Sequence, residues 1–157
     1  MSGTLSMVLS IASAVLAVAS AAFSVYTFYR NVQHDRRRDT LNAYNTLQVQ
    51  ALDVLDSYTG TQIKQILEGK DRAEVRKISR CLARLEHFSV GVNTKIYDRK
   101  TVYELAHGFL DKGLWYKLQP VLEKKQKGQG ENYYQNYCDL AAWMRAQEKK
   151  GKREERA

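Results

Sequence analysis

No charged side chain occurs in the first twenty-nine residues, and four arginines occur in the next nine. The uncharged run, Leu5 to Tyr29, reads LSMVLSIASAVLAVASAAFSVYTFY, and the basic segment after it reads RNVQHDRRRD. About 20 helical residues at 1.5 Å each cross a bilayer core. The run exceeds that length, so residues 5–29 are predicted to form a transmembrane helix. A cleaved secretory signal is the competing reading. Ala17-Val18-Ala19 could serve as a cleavage site, but only Met-Ser-Gly-Thr precedes the run, without a basic leader.

Lysine and arginine concentrate on the cytoplasmic side of membrane spans. Arg30, Arg36, Arg37 and Arg38 all follow the run. That predicts a single-pass membrane protein with its N-terminus outside and its C-terminal part cytoplasmic. The same four arginines are the expected contacts for anionic lipid headgroups, so the bilayer is an expected partner. Tyr26 and Tyr29 suit the interface. Ser10, Ser13, Ala14, Ala17 and Ala21 form rows of small residues that let helices approach closely, which predicts a homo-oligomer. The serines could line a narrow polar pore, or return their hydroxyl bonds to their own helix.

The remaining chain reads as all-α: a small helical bundle behind one N-terminal span. Residues 30–60 form a basic stop and a stalk helix, with Leu41, Tyr44, Leu47, Leu52, Leu55 and Tyr58 at helical spacing and Gly60 ending it. Residues 61–146 form the helical domain. Asp71 and Asp98 are placed to cap helices. Gly91 is placed for a turn, Gly113 closes a helix, and Pro120 warns of a kink. Phe88, Trp115, Tyr137 and Trp143 are expected in the core. Gly128 and Gly130 mark a break before a last helix, Asn132 to Glu148. Residues 147–157, highly charged, are expected to be disordered.

Catalytic and cofactor motifs are absent from the sequence, so neither an enzyme nor a cofactor is expected. The three histidines, His34, His87 and His107, show no metal-ligand spacing. The two cysteines, Cys81 and Cys138, are too few for a thiolate zinc site and read as core residues. The formal net charge is +8. Much of the excess outside the basic stop lies on one predicted helix, where Arg72, Arg76, Arg80 and Arg84 recur every fourth residue beside Lys77. Like charges at that spacing repel by roughly 0.2–0.5 kcal/mol per pair. Either Glu68, Glu74 and Glu86 neutralise them, or the face binds an anion: phosphate, a nucleotide, an oligonucleotide or a lipid headgroup. The tyrosines of ENYYQNY could stack bases, although their helical spacing suits a core.

Residues 82–145 resemble the bacterial and phage-associated family of domain of unknown function number 4760. The resemblance rests on LARLEHFSVGVNTKIYDRKTVYELAHGF, WYKLQPVLEKKQ and ENYYQNYCDLAAW. It aligns Leu85, Phe88, Gly91 and Val92 with an aromatic helix ending in a turn, and Tyr97 with Asp98 at the next helix start. Trp115, Pro120, Tyr133, Tyr137 and Trp143 follow in the family's order. The resemblance implies an N-terminal anchor in a bacterial inner membrane and a helical cytoplasmic part, and it brings no reaction. By analogy of layout, the sequence points to an oligomeric membrane effector, pore- or channel-forming, acting in anti-phage defence and controlled through its cytoplasmic helices. The alternative is an anchored, non-pore interaction module that recruits a cytoplasmic protein partner.

Overall fold

The computed structural model describes residues 2–129 and 134–154, apart from the side chains at 2, 4–6, 8, 9, 12, 128, 129 and 154. Gly130 to Tyr133, expected as a break and the start of the last helix, lie outside the described residues, as do 155–157 of the tail. All regular structure among the described residues is helical. The elements are α1 (Ser2–Leu47), a π-helical turn (Gln48–Leu52), α2 (Asp53–Asp56), α3 (Gly60–Glu68), α4 (Arg72–Asn93), α5 (Arg99–His107), a second π-helical segment (Gly108–Leu114), α6 (Trp115–Gln129) and α7 (Gln135–Glu154). The chain divides into two compact units, residues 1–36 and 37–157.

Residues 1–36 correct the membrane reading. Among the described residues, no helix is long and apolar enough to cross a membrane. Small side chains fill much of the described stretch (Ala14, Ala17, Ala19, Ala21 and Ala22), and each adds little apolar surface. Leu5, Val8, Leu9 and Ala12 are not among the described side chains. The helix α1 continues without a break through Arg30 and Arg36 to Leu47. The transmembrane helix at 5–29 is therefore not supported. Several further expectations fall with it: the inner-membrane location with an outside N-terminus, the bilayer as partner, the pore or channel, and the membrane-anchored scaffold. Three hydroxyls of this stretch bond back along their own helix. Ser20 donates to the Leu16 carbonyl at 2.8 Å, Ser24 to Ser20 at 2.8 Å and Thr27 to Phe23 at 2.9 Å. That was the alternative to a serine-lined pore.

The core lies in residues 37–157, where α4 packs most extensively on α7 and also contacts α3 and the first π-turn, while α3 packs on α6. Buried leucines converge from every layer: Leu52 and Leu55, Leu82 and Leu85, Leu110, Leu114 and Leu118, and Leu140. Local caps set the starts of α3, α4 and α5. Asp71 accepts from the Ala73 amide at 2.9 Å, and Asp98 from the Thr101 amide at 2.8 Å. Thr59 and Gln62 form a reciprocal capping box. Gly60 opens α3 and does not end the preceding helix. A side chain there would meet the Lys117 carbonyl of α6 at 2.7 Å, so α3 and α6 touch backbone to backbone.

Two other glycines differ from expectation. Gly91 lies inside α4, where a Cβ would clash with the Tyr97 ring. It makes room for that ring and forms no turn. Gly113 lies inside the second π-segment and closes no helix. The last helix runs past Glu148 to Glu154.

Candidate functional site: a basic cleft beside the first π-turn

The amphipathic pattern of α4 turns Ile78, Leu82, Leu85 and Phe88 into the core. The intervening basic residues therefore face outward. Arg76, Lys77, Arg80 and Arg84 line one cavity of about 440 Å³ together with Gln50, Val54, Ala73 and Cys81. Arg72, one turn earlier, is exposed and does not line it. The opposite wall is the π-turn, whose wider winding changes which carbonyls remain free. The Gln50 carbonyl accepts from Arg84 Nη1 at 2.9 Å and lies 3.8 Å from Cys81 Sγ.

The carboxylates expected to neutralise this face serve elsewhere. Glu68 pairs with Lys124 at 2.6 Å. Glu86 accepts from the Asn136 and Tyr137 amides at 3.0 and 2.9 Å, so it caps α7 from across the bundle. Glu74 remains, 3.8 Å from Lys77. Lys77 also donates to the Tyr58 hydroxyl at 3.2 Å, and Tyr58 donates to Glu74 at 3.1 Å. The Tyr58 hydrogen bond, with the Glu74 charge, raises the Lys77 ammonium above its usual range. Neither Arg76 nor Arg80 has an ion pair or hydrogen bond among the described residues. Burial pushes the Cys81 thiol up, while the charges of Arg84 and Lys77 act in the opposite direction.

A second cavity of about 360 Å³ adjoins the first and shares Gln50 and Arg84 with it. Asn42, Thr46, His87, Phe88 and Tyr97 line it. Phe88 and Tyr97 stack, with ring centroids 5.4 Å apart. Sequence reasoning missed Gln50 and this aromatic chamber. Gln50 lies at helical spacing in a helix with no local mark of a π-turn, and Tyr97 reaches Phe88 only through the α4–α5 connection.

The other expected residues scatter. Ser10, Ser13, Ala14, Ala17 and Ala21 are exposed on α1 within residues 1–36. Arg30, Arg36, Arg37 and Arg38 are exposed, and their expected headgroup contact is not supported because no described helix can cross a membrane. Arg37 does act within its own unit, where its charge helps lower the Asp98 carboxyl. Phe88 and Tyr137 are buried in the core, whereas Trp115 and Trp143 are half-buried at its margin. Arg145 lies 4.5 Å over the Trp115 ring, and Arg99 lies 4.8 Å over Trp143. Among the described residues no histidine, cysteine and carboxylate group is placed to hold a metal ion. Cys81 is buried and Cys138 half-buried, both as free thiols.

No curated protein and no solved structure matches the chain. A family model does, over residues 14–144, which is far more of the chain than the expected 82–145. It carries no reaction, and the expected N-terminal anchor is not supported by any described helix. By that match the chain belongs to the family described as Domain of unknown function (DUF4760).

Proposed function

We propose that residues 37–157 form a helical binding module for a phosphate-bearing anion, held in the basic cleft between α4 and the first π-turn. The observation that supports this most strongly is the state of Arg76 and Arg80. Both line the cavity, and neither has a carboxylate partner among the described residues. Maintaining four like charges on one helix face costs roughly 0.2–0.5 kcal/mol per adjacent pair. A bound phosphate would relieve that repulsion and accept charge-assisted hydrogen bonds from the guanidiniums.

The test is calorimetric titration of the full chain with inorganic pyrophosphate. Binding is expected, and Arg76→Glu combined with Arg80→Glu should weaken it at least tenfold while leaving circular-dichroism helicity unchanged. Equal binding by the double variant, or no binding by the parent, overturns the assignment.

Self-association is a second property, and a different observation favours it. Ile11, Val15, Leu16, Phe23, Val25 and Phe28 are large apolar side chains exposed along α1. These residues lie around the helix, so packing with further copies would cover the part of them that faces each neighbour. Light scattering of the full chain is expected to give an oligomer that Ala17→Leu with Ala21→Leu weakens. A monomer at all concentrations discards this property.

A further inference from the structure

We infer that the ligand of the basic cleft is a nucleoside monophosphate whose base enters the adjoining aromatic chamber. This rests on the anion-binding reading and extends it to a second subsite. The two cavities meet at Gln50 and Arg84. From Arg80 to His87 the rise along α4 is about 10 Å at 1.5 Å per residue. That is the reach of a mononucleotide from phosphate to base.

The chamber has the chemistry a base requires. The stacked pair Phe88 and Tyr97 supplies an apolar aromatic wall. Such walls favour flat heteroaromatic rings regardless of base identity. Asn42 lines the same space, and its side-chain amide has no hydrogen-bond partner among the described residues. It offers one acceptor and two donor hydrogens to a base edge. The Thr46 hydroxyl donates its hydrogen to the Asn42 carbonyl at 2.9 Å, so toward a base it can act only as an acceptor. Arg84 stands at the junction. Its bond to the Gln50 carbonyl holds the guanidinium between the two chambers, where a ribose phosphate would pass. An inorganic anion would leave the aromatic chamber empty, whereas a nucleotide fills both.

Calorimetric titrations of the full chain with the monophosphates of adenosine, guanosine, cytidine and uridine, each compared with ribose 5-phosphate, decide the matter. At least one nucleotide should bind ten times more tightly than ribose 5-phosphate. Thr46→Phe, which fills the chamber, should abolish that preference while leaving ribose 5-phosphate affinity unchanged. Asn42→Ala, at an exposed position, should reduce the preference without disturbing the fold. Arg76→Glu with Arg80→Glu should remove both ligands. If all four nucleotides bind only as well as ribose 5-phosphate, the base subsite is wrong and the anion cleft stands. If neither nucleotide nor ribose 5-phosphate binds, the inference is overturned, and the pyrophosphate titration alone decides the anion cleft. A preference that survives both Thr46→Phe and Asn42→Ala places the base elsewhere and overturns the inference.

Discussion

Lys95 holds a left-handed backbone conformation, with φ at 62°. It follows Thr94, the C-cap of α4, and its amide reaches back to the Val92 carbonyl at 3.2 Å. The position closes the helix in the way glycine usually does. Lys95 is exposed and the structure gives its side chain no role there. A residue with a Cβ costs about 1–2 kcal/mol in this region. Lys95→Gly is therefore expected to stabilise the protein by about 1 kcal/mol, less the extra entropy that glycine brings to the unfolded chain. Urea denaturation measures it, and a lowered midpoint would show that the turn carries no strain. Legibility at this scale follows sequence distance. Asp71 and Asp98 immediately precede the helices they cap, so their roles can be read directly. Glu86 caps a helix fifty residues away and reads only as a neutralising neighbour of the arginines.

The π-segments follow from a pattern that helical periodicity alone misreads. Val102, Ala106, Leu110, Leu114, Leu118 and Leu122 recur at strict intervals of four, and all are essentially fully buried. On an α-helix each step of four advances about 40° beyond a full turn. Over the whole row, such residues would wind from the core round to solvent. The wider winding of Gly108–Leu114 absorbs this drift and keeps the row inward. The spacing was visible in the chain, but Gly113 suggested a break instead. Side chains from α4 and α7 receive the carbonyls within the π-segments. Arg84 takes that of Gln50, and Tyr137 donates to that of Leu110 at 2.8 Å. Burial holds the Tyr137 hydroxyl in its protonated, donating form. Tyr137→Phe keeps the ring packing but strands a buried acceptor. It should cost roughly 1–3 kcal/mol in urea denaturation. A loss below about 0.3 kcal/mol would mean that the π-segment holds without this bond.

At the scale of the whole molecule, the helical class and most core positions were legible because they depend on local period and local caps. The cleft was legible on one side only. The arginine row stands in the sequence, whereas its opposite wall comes from a π-turn, and the loss of its expected neutralising partners is a tertiary event. Glu68 and Glu86 are near the row in sequence yet serve Lys124 and α7. The same long-range partnerships govern the response to acid. Burial works against ionisation of Asp98, but hydrogen bonds from the Thr101 hydroxyl and amide, with the charges of Arg37 and Lys100, outweigh it and lower the carboxyl below 3.8. A lowered folded value adds stability above the unfolded one, and that stability is lost as pH falls through the folded one. Asp111 has the opposite sign. Burial raises its carboxyl above 3.8 despite Arg145 at 3.1 Å, so protonation relieves a penalty as pH falls. Asp98→Asn keeps the capping oxygen but removes the titration, so its melting temperature should fall less than the parent's between pH 6 and pH 3. Asp111→Asn removes a gain on the acid side and should fall more. Melting curves of the three proteins across that interval test both signs. Parallel curves would show that neither carboxylate couples to folding, and reversed slopes would show that burial, not hydrogen bonding, controls Asp98.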